Sequence, residues 1–323
     1  MGASAIVLLN MGGASNIEEV PLFLNNMFRD KHILRIGFKP LRYAVARWIT
    51  FRRAKKSRES YRLIGGRSPL LTLTKSLAFK LQERANIPVF IAMRYLPPFT
   101  DEAIGQIKAA GIKNLVIVPL YPHYSTATTL SSIEHFEAGL KRAELTIKHC
   151  VVERFFDHPT YNESVIERIK QQLEGRDPSA YTLILSAHSL PQSVIDEGDP
   201  YKDECARHAV ILQKLFVLRN MEFNGAHLAY QSKVGPMKWL EPSLETKMIE
   251  LSTQGIKRVL IVPISFTIDN LETDYELSID YVKRGKKMGF EELLVAKCPN
   301  DSDIFVKALS EISAACICQK NMR

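Results

Sequence analysis

The sequence predicts an α/β fold built from two similar Rossmann-like lobes, each a doubly wound parallel sheet, with an active-site cleft between them. Three observations carry this prediction. Short β-branched apolar runs alternate with amphipathic stretches along the whole chain, the pattern of strands joined by crossover helices. The runs are apolar throughout rather than every second residue, which suits parallel sheets covered on both faces. Finally, GIKNLVIVPLYPHYSTATT (111–129) aligns without gaps to GIKRVLIVPISFTIDNLET (255–273), an offset of 144. A repeated helix–strand–loop unit implies two halves of one design.

The elements follow in order. Strands are expected at SAIVLLN (4–10), PVFIAMR (88–94), NLVIVPL (114–120) and TIKHCVV (146–152) in the first half. The second half offers TLILSA (182–187), AHLAY (226–230), RVLIVPI (258–264) and ELLVAK (292–297). Between them lie helical stretches such as TDEAIGQIKAAG (100–111) and PSLETKMIELSTQG (242–255). Each ends at a glycine, a helix stop. The polar Gly/Pro segment LEGRDPSA places the boundary near residue 175, giving lobes 1–175 and 176–323. Ligands of such sheets bind beyond the carboxyl ends of the strands. The candidates are therefore NMGG (10–13), Arg94–Tyr95, YPHYSTATT (121–129), His188, QSKVGPMKW (231–239) and SFTIDNLETDYE (265–276).

Bulk properties narrow the class. The net charge is 43 − 35 = +8, and FRRAKKSRESYR (51–62) alone holds six Lys/Arg. A solvated helix face is the plain reading, and attraction to an anionic ligand or lipid surface the functional one. The run lacks interleaved aromatics and no nucleic-acid module is visible. No apolar stretch approaches the ~20 residues of a membrane span, and the start is a poor signal peptide. Five dispersed cysteines (150, 205, 298, 316, 318) argue for reduced thiols and a cytoplasmic protein.

Common catalytic motifs are missing. NMGG is not G-x-G-x-x-G, and there is no phosphate loop, HExxH, G-x-S-x-G or CxxC. What remains is His188, delivered by the tip of a buried strand, and the carboxylates Asp269, Glu272, Asp274 and Glu276. In a helix, Asp269, Glu272 and Glu276 step by three and four along one face. They make either a line of proton or metal acceptors or a helix start whose acids complement the dipole. His188 alone reads equally well as a packed histidine.

The motifs converge on a resemblance. LLNMGG (8–13), FLNNMFRD (23–30), YRLIGGRSPL (61–70), MRYLPP (93–98), YPHYSTATTLSS (121–132), SAHSLP (186–191), YQSKVGPMKWLEP (230–242) and PISFTIDNLETDYELSIDY (263–281) resemble the ferrochelatases over nearly the whole chain. The resemblance implies insertion of Fe(II) into protoporphyrin IX to make protohaem, the terminal step of haem biosynthesis. It implies His188 and Glu272 as the catalytic pair and transient iron ligands, with Asp269 and Glu276 as an outer relay. Met11, Tyr61, Arg94, Tyr95, Ser125, Trp239, Phe266 and Asn270 correspond to residues lining or approaching the macrocycle. The stretch PLFLNNMFRDKHIL (21–34) resembles the family's lip, where porphyrin enters and peripheral membrane contact is expected. Arg94 and the 51–62 run are candidates for pairing with propionates.

Two porphyrin N–H protons must leave before a metal sits in the ring, and a pocket fitted to a bent ring favours that step. Histidine, with an ordinary pKa of about 6.5, suits the acceptor role; imidazole and carboxylate both bind Fe(II). The chain departs from the family at Asn270, where a histidine is frequent; asparagine takes up no proton. The QSKVGPMKWL segment resembles the version typical of protoporphyrin enzymes, so the resemblance implies protoporphyrin rather than coproporphyrin. Iron is a substrate, CICQK (316–320) lacks the spacing of a cluster-binding extension, and no cofactor or iron–sulfur cluster is expected. The short C-terminus points to a monomer. The alternatives are a chelatase for another tetrapyrrole, coproporphyrin or sirohydrochlorin, and a non-catalytic porphyrin- or haem-binding protein.

Overall fold

The computed structural model describes residues 3–233, 235 and 237–320. Val234 and Pro236, inside the segment on which the choice of protoporphyrin rests, lie outside the described residues. The chain divides into two compact units, Met1–Arg154 with Asp301–Arg323, and Phe155–Asn300.

Unit one runs β1 (Ser4–Asn10), α1 (Val20–Arg29), α2 (Lys39–Leu63), α3 (Leu70–Ala85), β2 (Val89–Met93), α4 (Thr100–Ala109), β3 (Asn114–Pro119), α5 (Ser131–Arg142) and β4 (Lys148–Val151). Its strands form a parallel sheet in the order β2-β1-β3-β4. Central β1 sets Leu8 beside Ile91 of β2 and Val118 of β3. Val7, Leu9 and Ile117 cluster with Ile104 and Ile107 of α4 and with Phe136 and Leu140 of α5. Each such burial is worth about 1.5–3 kcal/mol. The NMGG turn after β1 is a packing device: Gly12 has φ +88°, and a Cβ on Gly13 would lie 2.6 Å from Ser68 Oγ.

Unit two runs α6 (Pro159–Leu173), β5 (Thr182–His188), α7 (Gln192–Asp196), α8 (Tyr201–Leu218), β6 (Ala226–Gln231), α9 (Leu244–Thr253), β7 (Arg258–Pro263), a π-helix Glu272–Tyr281, α10 (Val282–Met288) and β8 (Glu292–Val295). Its parallel order, β6-β5-β7-β8, repeats the first sheet position by position. The duplicated sequence occupies β3 and β7 with their following loops. Each copy leads into a π-helical segment, Thr126–Leu130 and Glu272–Tyr281. Ile184, Val259 and Ile261 bury against Leu244, Met248 and Leu251 of α9 and Leu277 of the π-helix.

The division between units falls at 154/155 rather than near 175. The reason is α6, whose side chains join unit two: Asn162 Oδ1 accepts from His208 Nε2 at 2.8 Å, and Tyr161 packs its ring beside the same imidazole. The chain end also departs from a simple split. Helix α11 (Asp303–Lys320) returns to unit one, packing on α3 and reaching β3 and β4. Lys80 of α3 donates to the Asp301 carbonyl at 2.8 Å.

That return corrects the expectation of reduced thiols at one pair. Cys150 on β4 and Cys316 on α11 are bonded, with Cα atoms 6.1 Å apart and a sequence separation of 166. The stretch expected to form the lip begins with a helix whose apolar side chains are mostly buried. In α1, Val20, Phe23, Leu24 and Phe28 are buried, and Leu22 is the large apolar side chain of that helix left exposed. The amphipathic stripe turns inward, because α1 packs along α2. Among the described residues no helix is long and apolar enough to cross a membrane.

Candidate active site

In unit two the site is built at the carboxyl ends of β5, β6 and β7. His188 is the last residue of β5, and its backbone N–H donates to Ser265 Oγ at 2.8 Å. Its carbonyl accepts from Tyr201 Oη at 2.9 Å. The ring Nδ1 lies 2.8 Å from the Ser189 carbonyl. A carbonyl only accepts, so Nδ1 carries the proton and Nε2 presents a lone pair. Phe266 meets the imidazole edge-on, centroids 6.0 Å apart at 84°.

Burial lowers the His188 pKa, while the Glu276 charge and the Ser189 hydrogen bond pull it back up; the net direction is down. Burial raises the Glu276 carboxyl, and the neighbouring Glu272 charge adds to that. Ser232, which donates its hydroxyl to Glu276, and His188 oppose the rise without reversing it. Ser232 has φ +68°, the left-handed region uncommon for a residue with a side chain. The pair is thus a neutral imidazole beside a carboxyl that takes up a proton more readily than a surface glutamate.

The other acids separate. Glu272 starts the π-helix, half-buried, and its backbone N–H donates to Asn270 Oδ1 at 2.9 Å. The same oxygen accepts from Thr273 N–H at 3.1 Å, while Thr273 Oγ1 accepts from Asn270 N–H at 2.9 Å. Asn270 is therefore the cap of this helix. Asp269 leaves the helix face altogether. It is buried, accepting from Cys298 N–H at 3.0 Å and Asn300 Nδ2 at 2.8 Å, with Lys297 at 3.6 Å. Those bonds make it an anchor for the segment after β8 rather than a member of an outer line. Trp239 is half-buried, and among the described residues its indole N–H finds no hydrogen-bond partner. Among the described residues no three His, Cys, Asp or Glu side chains are grouped to hold a metal ion.

In unit one, buried Asp30, which the sequence reading missed, is the hub. It receives Arg94 Nη2 at 2.9 Å, Tyr95 Oη at 2.9 Å and the Ser131 hydroxyl. Burial alone would raise this carboxyl, but Arg94 and hydrogen bonds from Ser131, His32 N–H and Tyr95 hold it below the ordinary range. Arg94 also donates from Nε to Ser131 at 3.2 Å, so its charge is already matched inside the unit. That weakens the case for a propionate partner. Tyr61 is buried, with its hydroxyl 3.4 Å from the Ala14 N–H, and buried Ser125 caps Thr126–Leu130 by accepting from Ala127 N–H at 3.1 Å. Tyr95 is buried as well, whereas Met11 and Arg94 keep accessible surface. A cavity of about 480 Å³ beside β2, lined by Leu71, Lys75, Val89 and Ile91 among others, includes none of the expected site residues.

Two duplicated parallel α/β units, one carrying an imidazole and carboxylates at its strand ends, define a protein of the chelatase class. The fold agrees with solved structures. SirB from Bacillus subtilis, in a structure with Fe3+, superposes with a TM-score of 0.58 at 12% identity, over 97% of this chain and 96% of that one. CbiX, the terminal enzyme for biosynthesis of sirohaem in denitrifying bacteria, gives 0.51 at 14% identity, over 97% and 98%. A sequence model of the Ferrochelatase family matches residues 3–315. The ferrochelatase of Sulfurimonas denitrificans is 48% identical over 316 residues, 97% of this chain and 99% of the relative. That of Wolinella succinogenes is 44% identical over 309 residues, 95% and 97%. The chain belongs to the ferrochelatase family.

Proposed function

We propose that this protein inserts Fe(II) into protoporphyrin IX, releasing two protons to form protohaem. The observation that carries the reading is the His188–Glu276 arrangement. The reaction must place two pyrrole protons, and the site offers two acceptors of complementary tuning. Nε2 of His188 is free to accept because Nδ1–H is committed to Ser189. Glu276 lies beside it with raised proton affinity and lies on the same π-helix as half-buried Glu272. His188 takes the first proton as general base, and Glu276 stabilises the imidazolium. Glu272 and His188 suit brief contact with Fe(II), since imidazole and carboxylate bind it without a closed cage.

The test is His188→Ala assayed by loss of protoporphyrin fluorescence on adding Fe(II), with porphyrin binding measured separately. Metal insertion falls at least about 100-fold while porphyrin still binds. Near-normal turnover would remove His188 from this role. Parallel assays with coproporphyrin and sirohydrochlorin decide the tetrapyrrole: protoporphyrin is metallated fastest. Tight porphyrin binding with no metallation by the unaltered protein would favour the binding-protein reading.

A second reading concerns a partner. Helix α2, not α1, exposes the apolar surface: Trp48 is 62% and Phe51 83% accessible, set among Arg47, Arg52, Lys55 and Lys56 on the same outer face. Exposed aromatics ringed by cations suit an anionic lipid surface.

A further inference from the structure

The five cysteines are not equivalent. Cys205 and Cys298 are fully buried, and burial pushes both thiols well above the ordinary range, so they form little thiolate and are shielded. Cys150 and Cys316 are half-buried, and Cys318 is exposed. The reactive set is therefore confined to unit one, at the junction of β4 and α11. There the backbone places Cys150 and Cys316 with Cα atoms 6.1 Å apart, inside the range a disulfide spans without backbone movement.

The position gives the bond a structural consequence. Unit one is assembled from two separate segments, Met1–Arg154 and Asp301–Arg323. Its second segment is held on α3 by packing and by the contacts of Ser76 and Lys80 to Asp301. Both of these hydrogen-bond contacts lie at the start of α11. The far end carries Cys316, so the sulfur bridge is a clamp at the end those contacts do not reach. A disulfide whose two cysteines keep accessible surface is of the exchangeable kind.

We propose that Cys150 and Cys316 form a reversible oxidation site that clamps the end of α11 to β4, taking a low-molecular-weight disulfide as its oxidant. The Cys316 thiolate attacks the small disulfide, forming a mixed disulfide and expelling one small thiolate. The Cys150 thiolate then attacks Cys316 Sγ, expelling the second. Two protein thiols become one disulfide, one small disulfide becomes two thiols, and the two protons leave on them. Excess small thiol reverses both steps.

The experiment incubates the full chain with oxidised glutathione or with dithiothreitol. Each sample is alkylated, digested and mapped by mass spectrometry, and its melting temperature is measured in parallel. After oxidation the Cys150 peptide is recovered linked to the peptide that carries both Cys316 and Cys318, fragmentation places the link at Cys316 and the alkyl group at Cys318, and Cys205 and Cys298 are recovered without a partner peptide. Dithiothreitol under native conditions reopens the bond. The oxidised form melts at least about 3 °C above the reduced form, since closing a long loop restricts the unfolded chain. In Cys150→Ser, and independently in Cys316→Ser, that difference vanishes. Linkage through Cys318, two free thiols at 150 and 316 after oxidation, a bond that resists native reduction, or equal melting of the two forms would each overturn the proposal.

Discussion

Nε2 of His188 is available because a neighbouring carbonyl occupies the other nitrogen. That detail turns a strand-tip histidine into a base with a defined reactive atom. The charge beside it sets the pH range. Activity requires neutral His188, so the rate falls as pH drops through its pKa. Burial holds that pKa below the ordinary 6.5, and the Glu276 charge pulls it upward. In Glu276→Gln the imidazolium loses its partner and the His188 pKa falls further. The acid limb of kcat/KM against pH therefore moves to lower pH, by roughly one unit. The plateau drops about 10- to 100-fold, because the second acceptor is gone. An acid limb that stays in place, or moves to higher pH, would contradict the pairing. At the same scale, Asp30 explains why Arg94 and Tyr95 keep fixed positions: one buried carboxylate holds both.

Asn270 is best understood through the element it begins. The sequence alone suggests a missing second imidazole, because asparagine cannot relay a proton. The structure uses its side-chain oxygen for the first two free N–H groups of the π-helix, those of Glu272 and Thr273. Asn270→Ala loses both bonds, costs about 1 kcal/mol, lowers the melting temperature by about 2–4 °C, and lowers turnover by freeing the backbone of Glu272. Asn270→Asp keeps the acceptor and retains most of both. A melting temperature unchanged in the alanine variant would deny the cap. All eight strands were legible in the sequence, because a strand covered on both faces is written as a continuous apolar run. The repeat foretold the common order of the two sheets. The π-helix was not legible, since the backbone i→i+5 bonds that define it over Glu272–Tyr281 have no residue signature. Asp269 was misplaced for the same reason: an α-helical spacing rule puts it beside Glu272, but it precedes the helix and turns inward to residues 298 and 300. Ser232 and Asp30 were missed because each acts on a partner far away in sequence.

Charge is distributed unevenly over the molecule. Helix α2 (39–63) holds nine Lys/Arg and one glutamate, a net of 9 − 1 = +8. The remaining chain has 43 − 9 = 34 basic and 35 − 1 = 34 acidic residues, so the whole formal excess resides on one helix. Dispersed charge would serve solubility; concentrated charge beside exposed Trp48 and Phe51 serves a surface of opposite sign. The plain alternative, a solvated helix face, accounts for the cations but not for two large aromatics in their midst. The two readings separate in a vesicle sedimentation assay. Vesicles containing anionic phospholipid retain the protein at low ionic strength, and purely zwitterionic vesicles do not. Raising salt from about 0.05 to 0.5 M weakens binding at least tenfold, because the Debye length shrinks from more than 10 Å to a few ångströms. Arg47→Glu combined with Arg52→Glu reduces binding to anionic vesicles about as strongly. Phe51→Ser reduces it while leaving the salt dependence intact, since it removes the inserted apolar part and no charge. His188 and Glu276 are untouched in these variants, so metal insertion in detergent solution separates the two roles of the run: unchanged turnover leaves α2 to the lipid surface, and a raised KM for porphyrin would make it a propionate partner instead. Equal binding to both kinds of vesicle, or none at low salt, would leave α2 as a solvated face.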